Sequence, residues 1–184
     1  MNPELEKIEA LVSDFQYLDA DDQIGLTIGF TASFYFWNGH KAATREGLVR
    51  CFEAFEKAYG EHLAWRLDGD EVRWVKYSAD KKNSIRQYVT SQDEDDCIEW
   101  HLTSSEDPDG LADYFAFSLT ERGWEEGNCS TFRFHLPRSL VFDTDGKKAV
   151  LDLVSLCVEQ LKPFHGNAGL SSISAHEEMS WEAE

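Results

Sequence analysis

Glu99-Trp100-His101 sets a carboxylate and an imidazole two positions apart. That spacing puts both on one face of a β-strand, where they could work as an acid–base pair and give a small hydrolase. The more ordinary reading is a contact across the strand face, and no nucleophile accompanies the pair. Asp143-Thr144-Asp145-Gly146 opens like a calcium loop, but its twelfth position is Val154, where a bidentate Glu would have to stand. His165-Gly166 reads as a helix C-terminal cap interacting with the dipole in preference to a catalytic base. The sequence contains no G-x-S-x-G, phosphate-cradling Gly loop or dinucleotide fingerprint. No catalytic set, cofactor or metal site is expected.

What the sequence concentrates is negative charge. From Gln87 to Glu121 there is no Lys or Arg, and the acids are Asp93, Glu94, Asp95, Asp96, Glu99, Glu106, Asp107, Asp109, Asp113 and Glu121. Tyr88, Trp100, Tyr114, Phe115 and Phe117 are interleaved with them, so the window reads as folded structure. A concentrated field of one sign speeds encounter with a partner of the other. Solvation of a solubilising face is the plainer role for the same residues.

The totals point the same way. Seventeen basic residues against thirty-five acidic ones leave a net charge of −18 over 184 residues. Direct binding to nucleic acid or to an anionic membrane requires the opposite sign. The four cysteines (Cys51, Cys97, Cys129 and Cys157) show no metal-ligand spacing, and Cys51 and Cys157 fall on apolar helix faces. They read as reduced thiols. The acidic N-terminus lacks the basic and apolar regions of a signal peptide, and no apolar run approaches the roughly 20 residues of a membrane helix. A soluble, cytoplasmic protein is expected.

The elements that must carry these residues are legible in outline. Residues 1–22 read as an acidic, helical N-terminal segment, and 171–184 as an acidic, poorly ordered tail. Between them, 23–170 reads as a single α+β domain, an antiparallel-rich sheet with two main helices packed on one face. A long strand runs from Gln23 to Trp37. Leu48, Phe52, Phe55 and Tyr59 line one face of a helix capped by Thr44 and stopped by Gly60. Strands are expected over 63–67, 71–77, 84–90, 97–102 and 114–119. Phe132, Phe134 and Leu136 mark another, ended by Pro137 and extended to Phe142. The second helix runs from near Asp145 to Leu161, with Pro163 beyond it. Both aromatic strands lead into a helix and then an aromatic–Gly pair, a trace of internal duplication. Six basic residues sit in the 63–90 meander, so one near-neutral and one negative face are expected.

The segment Phe132 to Pro137, the helix to Leu161, and Lys162-Pro163-Phe164-His165-Gly166-Asn167-Ala168-Gly169-Leu170 together resemble the type VI immunity family of bacterial proteins. The resemblance implies a chain that binds and neutralises a cognate type VI secretion toxin, in this family including nucleases of the virus-type replication–repair class. A DNA-cleaving toxin presents a basic cleft, which an acidic surface could occlude. On that reading the partner-binding residues are Asp93, Glu94, Asp95, Asp96, Glu99, Glu106, Asp107 and Asp109, with Trp124 or Trp100 as a central aromatic anchor. The alternative is an acidic DNA-mimicking or regulatory module that captures an endogenous nucleic-acid-binding protein.

Overall fold

The computed structural model describes residues 7, 17–18, 24–68, 73–78, 84–106, 108, 115–121 and 129–174. Among them, eight strands form one antiparallel sheet: β1 (Tyr17–Leu18), β2 (Ile24–Phe36), β3 (Trp65–Asp68), β4 (Arg73–Lys76), β5 (Ile98–Thr103), β6 (Ala116–Glu121), β7 (Ser130–Leu136) and β8 (His165–Ser174). Among the described residues the α-helices include α1 (Ala42–Tyr59), α2 (Ile85–Ser91), α3 (Ser139–Phe142) and α4 (Thr144–Leu161). Leu26 lies opposite both Tyr17 and Ser174, so β1 and β8 flank β2 on opposite sides. The order is therefore β8-β2-β7-β6-β5-β3-β4, with β1 beside β2 on the β7 side. This is the expected α+β sheet, with α1 and α4 as the two long helices.

Alternation along the strands builds the core. Phe30, Ala32, Phe34 and Phe36 of β2 point to the helix layer, as do Phe132, Phe134 and Leu136 of β7, Phe117 and Leu119 of β6, and Ile98, Trp100 and Leu102 of β5. From above, Phe52 of α1 meets the ring edges of Trp100 and Phe117 at centroid distances of 6.2 and 4.7 Å. Fully burying each such side chain contributes roughly 1.5–3 kcal/mol. Gly47 lets α4 approach α1, since a Cβ there would sit 3.0 Å from the Gln160 carbonyl oxygen. Cys51 and Cys157 are buried free thiols. The Cys157 thiol is pushed up by its hydrogen bond to Cys51 and then by burial.

Several segments depart from the sequence pattern for local reasons. Residues 85–91 are a helix and not a strand, because the Ser84 hydroxyl accepts the Gln87 amide proton as an N-cap, at 3.3 Å. Ile85 and Val89 then face the core together, four residues apart. The chain after Pro137 turns into α3 instead of extending β7, since proline has no N–H for the ladder and its carbonyl accepts from Leu140. α1 begins two residues before Thr44, from Lys41, with no side-chain cap. α4 is capped by Asp143, whose carboxylate accepts from the Gly146 amide at 2.7 Å.

The largest departure follows α4. Lys162 takes the left-handed conformation (φ 47°) that ends the helix, so His165 is not the cap. His165 instead opens β8 and stacks on Tyr35 at 5.6 Å. β8 runs on to Ser174, into the segment expected to be tail, while 175–184 lie outside the described residues, as does nearly all of 1–22. The two strand–helix units do sit side by side, with β2 and β7 antiparallel neighbours. They diverge after the helix: Gly60 opens a short 3-10 turn, whereas α4 feeds a ten-residue strand.

Opposite the helix layer the sheet is polar and tied by side-chain hydrogen bonds. Thr31 meets His135 Nδ1 at 2.9 Å, and Arg133 donates to the Ser33 hydroxyl at 3.0 Å. Burial, and secondarily the nearby Arg133 charge, push the His135 imidazole down to about 3. Unfolded, the same group titrates near about 6.5. The unfolded chain therefore binds the extra proton between those values, and stability present above the upper one is lost as pH falls through the window. Relative to a His135→Gln chain, the natural protein should lose about 2 kcal/mol more between pH ~6.5 and ~5. Urea unfolding of both at the two pH values checks this, and parallel losses would refute it.

Candidate functional site

The loop between α2 and β5 gathers four acids into a ridge, and its shape is fixed from below. Arg45, in the first turns of α1, is buried, and its guanidinium reaches up into the loop. Nη1 donates to the carbonyls of Asp93 (2.7 Å) and Gln92 (3.4 Å), and Nη2 to the carbonyl of Asp96 (2.8 Å) and to Glu121 Oε2 (3.0 Å). Glu121 closes β6 in register with Ile98, so strand alternation aims it at the helix layer with no exposed surface. A fork of donors in a fixed plane suits this task, which a lysine could not repeat.

With its carbonyls engaged below, the loop turns its side chains outward. Asp93, Glu94, Asp95 and Asp96 are all exposed, as is Glu99 on β5. Asp96 also shapes the turn, accepting the Asp93 amide proton on Oδ2 at 2.8 Å. On either side of the ridge lies a concavity. One, of about 240 Å³, is lined by His40, Arg45, Glu46, Arg86, Gln92 and Glu94 among others. The other, of about 450 Å³, is lined by Arg66, Asp68, Tyr88, Gln92, Asp96, Cys97 and Glu99. A ridge of carboxylates between two recesses offers a basic partner both contacts and room for its long side chains.

Two basic residues of the meander, Arg66 and Arg86, stand beside this ridge. Because β3 pairs with β5, Arg66 shares a recess with Asp96 and Glu99. Its charge is partly spent locally, 3.9 Å from Asp68 and 4.8 Å over the Trp100 ring. Arg86 of α2 forks onto Glu46 and Glu53 of α1, at 2.9 and 2.8 Å. That pairing, first with Arg86 and then with Arg50, holds the Glu46 carboxyl below the usual range. These pairs brace α2 against α1 and leave the ridge acids to the solvent.

The structure divides the residues singled out from sequence. Asp93, Glu94, Asp95, Asp96 and Glu99 come together at the start of β5. Glu106 follows the other end of that strand, on the far side of its six residues. Asp107, Asp109 and Trp124 lie outside the described residues. Trp100 cannot be a surface anchor, because alternation buries it with Ile98 and Leu102 between Phe52 and Tyr88. His101 does share a face with Glu99, but its Nδ1 is engaged by the Ser118 hydroxyl at 2.8 Å. Sequence reasoning missed Arg45 altogether.

No helix among the described residues is long and apolar enough to cross a membrane. No curated protein matches the chain. Among solved structures, the Pseudomonas aeruginosa T6SS protein PA0821 has a similar fold, with a TM-score of 0.78 over 98% of this chain at 22% identity. This chain spans about half of that protein, covering 52% of its length. The family described as TsiV, type VI immunity for VRR-NUC, matches residues 47–184. That span takes in α1 from Gly47 onward, the acidic loop, β5 to β7, α4 and β8, and it bears out the resemblance read from the Phe132–Leu170 segment. The chain belongs to the family of type VI immunity proteins for VRR-NUC.

Proposed function

We propose that this chain binds and neutralises a cognate type VI secretion toxin, a DNA-targeting nuclease, by laying its acidic ridge over the toxin's basic active-site cleft. The single observation that carries this reading is the ridge itself: four exposed carboxylates held in one fixed loop by buried Arg45. A nuclease cleft must attract phosphates, and carboxylates on a preorganised loop present the same charge without a scissile bond. Asp93, Glu94, Asp95 and Asp96 form the centre of the contact with Glu99 beside them, and Glu106, Asp107, Asp109 and Trp124 extend it. The chain performs no catalysis, uses no cofactor, and acts in the cytoplasm, where the toxin meets DNA. Family membership and the net charge of −18 support the reading.

The test is a cleavage assay with the purified cognate nuclease and linear DNA. Stoichiometric addition of this chain should abolish cleavage, and excess DNA should compete with complex formation at low salt. A complex that forms but still cleaves DNA at the free rate would defeat the occlusion mechanism.

A further inference from the structure

Trp37 follows β2 and Phe164 precedes β8, and each is about half exposed. Their rings stack at 4.6 Å with an interplanar angle of 11°. A single exposed leucine or valine is ordinary on a protein surface. Aromatic rings fixed in solvent are different, since aromatic side chains are concentrated in interfaces and at their strongest contacts.

The topology places this pair at the same end of the sheet as the acidic ridge. β2 ends at Phe36 and β8 opens at His165, β7 opens at Ser130, β6 ends at Glu121 and β5 opens at Ile98, and the registers bring all five ends to one rim. Strands about 4.8 Å apart put β2 about 14 Å and β8 about 19 Å from β5 along that rim. A standard interface covers about 800 Å² of each partner, a patch about 30 Å across, so a protein seated on the ridge reaches the pair. One buried group also fixes the two in relation to each other. Asn38 turns the chain after Trp37 in the left-handed conformation (φ 60°), and Gly39 packs so closely on Glu121 and Ser130 that a Cβ there would collide with both side chains. Glu121 is the carboxylate that Arg45 pairs with beneath the ridge. The Phe164 amide donates to the Tyr35 carbonyl at 3.0 Å, which holds the second ring against the end of β2.

We propose that the Trp37–Phe164 pair is the apolar anchor of the nuclease interface, in the role that buried Trp100 cannot fill; this rests on the occlusion reading above. Lys41 and Lys162, both exposed, flank the pair in sequence. The rings therefore receive an apolar side chain from the rim of the basic cleft, while the nuclease's cationic side chains go to the ridge. The two parts differ in kinetic effect: charge steers encounter, and short-range apolar contact slows release. DNA is drawn to the same cleft by its own charge. A contact that phosphates cannot make is what lets this chain hold the cleft against DNA at physiological salt.

Stopped-flow binding to the cognate nuclease at low and high salt tests this. A Trp37→Ala/Phe164→Ala chain should associate within ~3-fold of the natural rate and dissociate at least ~100-fold faster at every salt concentration. Trp37→Phe, which keeps a ring on Phe164, should dissociate within about 10-fold of the natural rate. Hydroxyl-radical footprinting of the natural chain gives a readout that needs no variant: both rings should be oxidised in the free chain and protected in the complex. A complex in which both rings are oxidised at the free rate would overturn the anchor and leave the ridge mechanism standing. So would a folded double variant that dissociates within ~3-fold of the natural rate. Failure of the natural chain to bind the nuclease at all would overturn the occlusion reading, and the anchor with it.

Discussion

Replacing Arg45 by methionine should cost about 3–5 kcal/mol of folding stability, because it removes the cation that offsets the Glu121 carboxylate in a site with no exposed surface. Methionine fills much of the same space, so a cavity contributes little to that figure. The larger loss is electrostatic: a buried carboxylate and three loop carbonyls give up their donor together. Removing both members of the pair should be far milder. An Arg45→Met/Glu121→Leu chain leaves no uncompensated charge, and apolar replacements of buried ion pairs are often near neutral. The double-mutant cycle from urea unfolding should therefore give a coupling of roughly 2–3 kcal/mol. Single substitutions within ~1 kcal/mol of the natural protein would show that the pair does not hold the loop. In the same variant, amide exchange at Asp93 and Asp96 should quicken before global unfolding, since the loop loses its tether while the sheet stands.

That pairing also shows where the sequence stopped being readable. Helices α1 and α4 were legible because Leu48, Phe52, Phe55 and Tyr59, and likewise Val150, Leu153, Cys157 and Leu161, repeat at helical spacing over several turns. β7 was legible from the alternation Phe132-Arg133-Phe134-His135-Leu136. α2 was not, because in seven residues Ile85, Gln87 and Val89 fit a strand as well as Ile85 and Val89 fit a helix. Only the Ser84 cap separates the two. The burial of Trp100 could have been read from its place between Ile98 and Leu102. An aromatic residue among acids reads as an anchor, but strand alternation decides its place. Arg45 and Glu121 lie 76 positions apart, and nothing local marks either as buried. Charged residues at the ends of elements usually stay in water, and only the tertiary fold brings these two together. β8 was hidden for a related reason: Gly, Ala, Asn and Ser give little strand signal, and the pairing with β2 makes the strand.

Because the ridge is shaped from below, its exposed charges can be altered without altering its form, which makes its role separable from stability. Glu94 and Asp95 are the positions to use. Asp96 accepts the Asp93 amide and would take the turn with it, whereas the two between are exposed. Glu94→Lys/Asp95→Lys changes the net charge of the ridge by four units, since each substitution removes one negative and adds one positive. If these carboxylates steer a basic nuclease, association at low ionic strength should slow by about 10-fold or more, with dissociation changed by less than ~3-fold. The deficit should shrink as salt approaches ~0.5 M, where charges farther apart than a few ångströms no longer feel one another. Melting temperature should stay within a few degrees of the natural value, because exposed charges remote from partners contribute little to folding. Stopped-flow binding to the nuclease at several salt concentrations separates the cases. A uniform loss of affinity at all salt concentrations, carried by faster dissociation, would make these residues short-range contacts and not a steering field. Unchanged association at the lowest salt would remove the ridge from the interface and with it the occlusion mechanism.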